Sequence, residues 1–234
     1  MTTPVVTCDV FSALTDSHTG ATRFLAGLGR AWPVTPDAVA TDWDARTKEL
    51  HRLGGPWRPH AALAAEALTA TYRELGVAGD PAADCRGLLA SMADWPLWAD
   101  VAALDPGSWS GLRVGLLSNT DDALLRPTAA ARLPVVDADL VVTSETLRAY
   151  KPAPAFYQRA RARIGPHVHV TASARDVRGA LEAGVPCVRI RRPGHVLDPA
   201  GPTPDRTVST PAELPAAILD VAHAAAHHSP TPHG

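Results

Sequence analysis

An aspartate ends the first apolar segment of the chain, and an aromatic residue follows it at the second position. Asp9 closes the run Pro4-Val5-Val6-Thr7-Cys8-Asp9, and Phe11 stands where a magnesium-using phosphotransferase of similar pattern would need a second carboxylate. A carboxylate at the C-terminal end of a buried strand lies where open α/β sheets place their reactive groups. Because Phe11 removes a metal ligand and adds an apolar wall, Asp9 is predicted to be a nucleophile toward carbon rather than phosphorus.

Polar side chains that suit such a nucleophile follow later segments of the chain. They are Ser118 and Asn119, Lys151, and Asp176. Since the carboxyl ends of parallel strands meet at one edge of a sheet, we expect them to converge on Asp9. A carboxylate is a weak nucleophile, but desolvation and alignment behind a carbon with a leaving group make displacement feasible. The sequence therefore predicts an ester intermediate on Asp9 that water cleaves at the Asp9 carbonyl.

Each of these side chains has a role in that scheme. Lys151 would place a positive charge beside Asp9 and keep it ionised by lowering its pKa. Asp176 would orient Lys151 or accept a proton from the water. Ser118 and Asn119 would donate hydrogen bonds to a substrate carboxylate or to the developing oxyanion.

Each also has a purely structural alternative. Asp9 could be a turn or capping residue, and Ser118-Asn119 could cap the helix predicted from Asp121. Lys151, before Pro152, could be a solvated loop lysine, and Asp176 could only stabilise a helix N-terminus. Phe11 would pack as well as line a pocket. The ordered set favours catalysis over these alternatives.

The elements that must position these residues alternate between strand and helix. Predicted strands are Val5 to Val10, Leu112 to Leu117, Leu140 to Val142, His167 to Thr171 and Cys187 to Ile190. Predicted helices after the second strand are Asp121 to Arg132, Pro154 to Ile164, Ala174 to Ala183 and Pro211 to Ala226. Short apolar strands alternating with helices predict an α/β fold, a doubly wound parallel sheet with both faces covered.

The stretch from about Ser17 to Met92 has only helical patterns. Helix starts are indicated at Asp16 or Ser17, at Thr35-Pro36-Asp37 and at Asp80-Pro81, and Gly54-Gly55 indicates a stop. We therefore predict an all-helical cap inserted after the first strand: core 1–14 and 94–227, cap 15–93, and a flexible tail 228–234.

Composition excludes several classes of protein. The chain has 234 residues, 46% of them hydrophobic, and a net charge of −2 with dispersed Lys and Arg, so no basic surface for nucleic acid is indicated. No apolar segment suits a membrane span or an export signal. Cys8, Cys85 and Cys187 are interpreted as buried thiols. We expect a soluble, cytoplasmic protein that acts on a small molecule. The abundance of Ala, Arg and Pro suggests a bacterial source.

The motifs resemble those of the haloacid dehalogenase superfamily, specifically its 2-haloacid dehalogenase branch. The resemblance rests on Cys8-Asp9-Val10-Phe11, Leu117-Ser118-Asn119, Arg148 to Pro154 with Tyr157, and Asp176 to Ala180, and it covers nearly the whole chain. Gly54-Gly55-Pro56-Trp57 and the helix after it also resemble the cap of that branch.

The resemblance implies a Rossmann-like core and a metal-independent hydrolase that displaces halide from a small 2-halo acid. It implies catalytic roles for Asp9, Ser118, Lys151 and Asp176, and substrate-binding roles for Phe11, Asn119, Arg46 and Ser173. Arg46 is the cap arginine closest to the family's halide-binding place after a tryptophan, here Trp43, although Asp44 occupies the adjacent position. The branch is compatible with a homodimer, but no surface patch in the sequence indicates one.

Departures from the family pattern leave other functions open. Ser12-Ala13 replaces the usual Gly-Thr and is expected to lose a hydroxyl near the nucleophile. Thr171 stands where a magnesium-dependent phosphatase has Asp, which with Phe11 disfavours Mg²⁺ and predicts no cofactor. Ser173 stands where dehalogenases usually have Asn or His. The alternatives are a phosphatase with a reduced metal site and a repurposed, inactive binding protein.

Overall fold

The computed structural model describes residues 3–53 and 55–228. Gly54, one of the two glycines predicted to end a helix, lies outside the described residues. Residues 229–234 of the predicted tail lie outside them as well.

A six-stranded, entirely parallel sheet forms the centre of the molecule. Its strands are β1 Val5–Asp9, β2 Arg113–Ser118, β3 Val136–Thr143, β4 Val168–Thr171, β5 Cys187–Ile190 and β6 Arg206–Val208. Their spatial order is β3-β2-β1-β4-β5-β6. This order confirms the predicted doubly wound α/β fold. The sequence missed β6, because it has three residues and only Val208 is buried.

Ten α-helices are found in the described residues. They are α1 Ser17–Gly27, α2 Pro36–Arg52, α3 His60–Glu74, α4 Pro81–Ala90, α5 Ala99–Ala102, α6 Asp122–Leu125, α7 Ser144–Leu147, α8 Pro154–Ile164, α9 Ala174–Glu182 and α10 Leu214–His228. The predicted helix starts at Asp16 and Thr35 are confirmed, since the Asp16 carboxylate accepts from Thr19 N and the Thr35 hydroxyl accepts from Ala38 N.

The predicted helix from Asp121 to Arg132 is wrong. The chain forms only α6 and then a separate 3₁₀ turn, Ala130–Arg132. The reason is Pro127, which has no backbone N–H to continue the helical hydrogen bonds, although Arg126 before it keeps helical geometry. The short helix leaves the loop after β2 free to contact the inserted helices.

Both faces of the sheet are covered. Alternation along β1 sends Val6 and Cys8 into a cluster with α10. On the opposite face of the sheet, Leu117 of β2 packs with Phe156 of α8 and Val177 of α9. Thr7 and Asp9 share that second face. Cys8, Cys85 and Cys187 are buried and free, as predicted.

The helices α1 to α4 lie between β1 and β2 in the chain and have a hydrophobic cluster of their own, around Leu25, Leu68 and Leu88. The chain enters and leaves this insertion side by side, through an antiparallel bridge between Thr15 and Leu97. The bounds 15–93 for a cap domain stay a prediction. Among the described residues, no helix is long and apolar enough to cross a membrane.

Candidate active site

A buried lysine joins two carboxylates at the carboxyl edge of the sheet. Lys151 Nζ lies 2.6 Å from Asp9 Oδ1 and 2.7 Å from Asp176 Oδ2, and it donates to Leu117 O at 3.0 Å. All three donor directions of the ammonium are thus occupied. Asp9 ends β1, Lys151 lies in the turn beyond α7, and Asp176 lies in the first turn of α9. Lys151 is only 6% exposed, so the solvated-lysine alternative is wrong.

The charges of this triad stabilise one another. Burial alone would lower the pKa of Lys151, but the carboxylates of Asp176 and Asp9 outweigh that penalty and raise it above its ordinary value. Burial alone would raise the pKa of Asp176, but Lys151 and His169 hold it well below its ordinary range. Lys151 therefore stays charged and Asp176 stays ionised at neutral pH.

Asp176 receives two further hydrogen bonds that sequence reasoning missed. Tyr157 Oη donates to Asp176 Oδ1 at 2.6 Å, and His169 Nε2 lies 3.1 Å from Asp176 Oδ2. His169 Nδ1 lies 2.9 Å from Thr7 Oγ1, its cross-strand neighbour on β1. The sequence signal that could have revealed this pair is a polar residue, Thr7 or His169, at the centre of a buried strand. With three side chains donating to it, Asp176 is better suited to holding Lys151 than to accepting a proton.

Ser12 supplies a hydroxyl to Asp9, the proposed nucleophile. The expectation that no hydroxyl would lie near Asp9 is therefore wrong. Val10–Leu14 forms a π-helical turn with Asp9 at its N-cap. This turn brings Ser12 N to 2.8 Å and Ser12 Oγ to 2.5 Å from Asp9 Oδ2. Asp9 is therefore a capping residue and a partner of Lys151 at once, one oxygen serving each purpose.

Asn119 is engaged with Lys151 rather than free to bind a substrate. Its Oδ1 accepts from Lys151 N at 2.8 Å, and its Nδ2 donates to Lys151 O at 2.9 Å. Ser118 is fully buried, and its Oγ has no hydrogen-bond partner among the described residues. Neither side chain caps α6. Buried hydroxyls usually have a partner, so Ser118 is the unsatisfied group beside the triad.

A cavity of about 690 Å³ opens over this triad between the sheet edge and the inserted helices. Asp9, Lys151 and Asp176 lie on its wall with Ser12 and Ser173. Its apolar wall includes Phe11, Trp43, Met92, Trp95 and Trp98. Phe11 meets Trp95 edge to face with ring centroids 5.8 Å apart, so it both packs and lines the cavity, as predicted.

Known proteins are similar to this chain in sequence and in fold. No protein family model matches the chain. It is 27% identical over 201 residues to (S)-2-haloacid dehalogenase 4A of Burkholderia cepacia, covering 80% of this chain and 82% of the relative. A crystal structure of a dehalogenase is 25% identical, with a TM-score of 0.75 over 90% of this chain and 95% of the other.

A third similar protein supports the fold. The L-2-haloacid dehalogenase of Xanthobacter autotrophicus with chloropropionic acid covalently bound has a TM-score of 0.79 at 20% identity, covering 94% of this chain and 99% of the other. The resemblance of the motifs to the haloacid dehalogenase superfamily, and to its 2-haloacid dehalogenase branch, is thus supported by a relative in sequence and by solved structures in fold.

The assignment of Arg46 as the family's halide-binding arginine needs correction. Its guanidinium pairs with Asp42 one helical turn away, and it lines a separate shallow depression with Glu49 and Glu66. The helical period explains this, because Arg46 lies two residues from both Asp44 and Lys48, which line the cavity. Two residues correspond to about 200° of rotation around α2, which turns Arg46 to the other side of the helix. The cavity wall instead contains Lys48, Arg175 and several histidines.

The donor set at Asp9 does not fit the magnesium cage of phosphatase-type members of the superfamily. Phe11 is apolar, Thr171 Oγ1 lies 3.5 Å from Ser12 Oγ, and the Lys151 ammonium stands between Asp9 and Asp176. Mg²⁺ favours oxygen ligands in an octahedron, often with carboxylates among them. Within residues 3–53 and 55–228, no group of three or more His, Cys, Asp or Glu could hold a metal ion.

Proposed function

We propose that the protein hydrolyses the carbon–halogen bond of a small 2-halo acid without a metal ion, with Asp9 as nucleophile. The observation that carries the proposal is the Lys151 ammonium 2.6 Å from Asp9 on a largely apolar cavity wall, with Phe11 in place of a second carboxylate. The curated relative from Burkholderia cepacia is a 2-haloacid dehalogenase, which supports the same substrate class.

The reaction would have two balanced steps. An Asp9 carboxylate oxygen attacks the carbon that bears the halogen, a C–O bond forms, and the C–halogen electron pair leaves with the halide. Water then adds to the Asp9 carbonyl carbon, and the bond from that carbon to the substrate oxygen breaks. The departing oxygen takes one proton of the water, which releases a 2-hydroxy acid, and the other proton leaves to solvent as the Asp9 carboxylate is restored.

The surrounding groups would orient and stabilise these steps. Lys151 balances the charge of Asp9 and later stabilises the oxyanion of the ester hydrolysis. Asp176 holds Lys151, and Asn119 holds the Lys151 peptide, so both are positioning residues. Ser118, predicted to be a donor to the substrate carboxylate, is fully buried and is not among the residues that line the cavity, so its unpaired hydroxyl does not contact a substrate there. Ser173 and Phe11 line the substrate cavity.

The larger context of the site is also proposed. Residues 15–93 would be the cap that shields the aspartyl ester from bulk water, over a core of residues 1–14 and 94–227. A homodimer in the cytoplasm of a bacterium is the expected setting, and size-exclusion chromatography with light scattering would measure the assembly.

The test is halide release from chloro-, bromo- and fluoroacetate and from 2-halopropionates in buffer with EDTA. We expect turnover by the wild type and a loss of roughly 10⁴-fold or more in Asp9→Asn, since removal of a nucleophile leaves only binding effects. Asp44→Asn, which changes another carboxylate on the cavity wall, is the matched control and should retain activity.

Two outcomes would contradict the proposal. Release of phosphate from phosphate monoesters that EDTA abolishes would establish the phosphatase alternative. Absence of turnover across a broad screen, with Asp9→Asn leaving the cellular role intact, would establish a repurposed binding protein.

A further inference from the structure

Two buried histidines on the cavity wall have no role in the mechanism above. His51, near the end of α2, and His60, the first residue of α3, are 8% and 7% exposed. His51 Nε2 lies 3.2 Å from His60 Nδ1, and the His51 ring stacks on Tyr150 at 4.2 Å with an interplanar angle of 13°. Both rings are therefore held in fixed orientations.

The hydrogen bonds around Lys151 determine which nitrogens of these rings carry protons. The Lys151 peptide fixes the Asn119 amide, because its N–H needs Asn119 Oδ1 and its carbonyl needs Asn119 Nδ2. Asn119 Nδ2 then faces His51 Nδ1 at 3.4 Å. An amide NH₂ only donates, so His51 Nδ1 must accept and the proton of neutral His51 lies on Nε2.

The same argument determines which nitrogen of His60 carries the proton. His51 Nε2–H donates to His60 Nδ1, so neutral His60 carries its proton on Nε2. Burial, then the neighbouring His60, lowers the pKa of His51 to about 2, and burial lowers that of His60 to about 4. Both rings are therefore neutral at physiological pH. Among the described residues, no group hydrogen-bonds to His60 Nε2, although the His60 backbone N–H donates to Asp121.

A shared metal ion is the main alternative for two close imidazoles. No third His, Cys, Asp or Glu ligand joins the pair in the described part of the chain. The third group beside His51 is the Asn119 NH₂, which cannot ligate a cation. A hydrogen-bonded relay ending in a free N–H fits these contacts, and a metal site does not.

We infer that His60 Nε2–H is the donor for a small anion in the cavity, either the leaving halide or the substrate carboxylate. The inference rests on the proposed dehalogenation and assigns to His60 the anion-binding task that Arg46 cannot reach. A neutral N–H held by a relay in a desolvated wall stabilises a developing anion without reorganising in the reaction. This chain of hydrogen bonds begins at the Lys151 peptide. It therefore links the anion-binding N–H to Lys151, whose ammonium lies beside Asp9.

The binding test uses ¹⁵N-histidine-labelled protein in halide-free buffer at pH 7. Chloride, bromide and acetate are titrated separately, and the Nε2 resonance of His60 is followed by NMR. A shift with halide only assigns the donor to the leaving group, a shift with acetate only assigns it to the carboxylate, and a shift with both assigns it to small anions generally. No shift with any of them overturns the inference.

The kinetic test compares His60→Phe, which removes the donor, with His60→Gln, which keeps an N–H. We expect His60→Phe to lose tenfold or more in kcat/KM and His60→Gln to recover part of it. If halide is the ligand, the loss is larger for fluoroacetate than for bromoacetate, and if the carboxylate is the ligand, KM rises equally for both. His223→Phe, at an exposed histidine that does not line the cavity, is the control.

The two tests separate failure of this inference from failure of the proposed function. If the wild type turns over no halo acid, the dehalogenase proposal fails, and the NMR titration still decides whether His60 binds anions. If turnover occurs but His60→Phe matches the wild type for every leaving group, only the His60 inference is overturned.

Discussion

At the scale of single residues, Ser12 is the contact that most changes the interpretation of Asp9. Its hydroxyl and its peptide N–H both donate to Asp9 Oδ2, while Lys151 takes Oδ1. The carboxylate is therefore held from both sides before any substrate enters. Such preorganisation aligns a nucleophile at little cost when the reaction occurs.

Replacing Ser12 by alanine is expected to reduce kcat about tenfold or more with a smaller change in KM. The lost hydrogen bond is made to a charged group, for which about 1.5–3 kcal/mol is typical, and the Ser12 N–H still holds Asp9. Steady-state halide release measures the effect. Ser108→Ala, which removes an exposed hydroxyl that donates to Asp105 O outside the cavity wall, is the control. An unchanged kcat in Ser12→Ala would show that the peptide N–H suffices.

At the scale of elements, one carboxylate of the core joins the inserted helices to the sheet. Asp121, in the loop after β2, accepts from the backbone N–H groups of His60 and Ala61. The helix α3 begins after Pro59 and has no side-chain cap of its own. Asp121 thus supplies the missing cap across the cleft, and it fixes the end of α3 that bears His60.

Asp121→Ala is expected to cost about 1–2 kcal/mol of stability and to speed hydrogen exchange in the first turn of α3. Asp80→Ala is a matched control, because Asp80 caps α4 through Ala82 N and Ala83 N within the insertion. It should speed exchange in α4 and leave α3 protected. If exchange in α3 is the same in Asp121→Ala and wild type, Asp121 does not hold the two parts together.

At the scale of the whole molecule, buried neutral histidines make stability depend on pH. The pKa values of His51 and His60 are lowered to about 2 and about 4, mainly by burial. An unfolded histidine has a pKa of about 6.5. The unfolded chain therefore binds more protons below that pH, and the stability that these residues contribute above pH 6.5 is lost as the pH falls.

The free energy of unfolding is expected to decrease between pH 6.5 and 4.5, by up to about 1.4 kcal/mol per pH unit for each such histidine. The lowered pKa of Asp176 adds a loss only at lower pH, once the unfolded carboxyl begins to protonate near about 3.9. Urea denaturation across this range should give a smaller slope for the double variant His51→Phe, His60→Phe. His223→Gln, at an exposed position, should keep the wild-type slope. Equal slopes in all three proteins would contradict the prediction.

Much of the architecture could be predicted because it depends on local patterns. Pro154–Ile164 and Cys187–Ile190 were predicted with the bounds that the structure has, since apolar periodicity and a proline at a helix start are readable along the chain. The failures have local causes too. Pro127 interrupted the predicted long helix, and β6 is too short to leave a pattern.

The site was predictable as a set of residues but not as a network. Sequence motifs brought together Asp9, Lys151 and Asp176, whereas His169 and His60 belong to no motif. The charge of Arg46 and its nearness to Trp43 favoured it as the halide-binding arginine. The direction of its side chain, however, depends on how α2 is rotated against α3. Side-chain direction between distant segments has no one-dimensional signature.

By itself, the sequence determined the α/β fold, the helical insertion and the residues at the sheet edge, because periodicity and motif order are properties of consecutive residues. Only the tertiary structure decided that Ser12 restores a hydroxyl to Asp9, that Asn119 holds Lys151, and that His60 lies beside His51 on the cavity wall. These facts depend on distances between residues far apart in the chain. Such distances are set by how the packed elements meet in space.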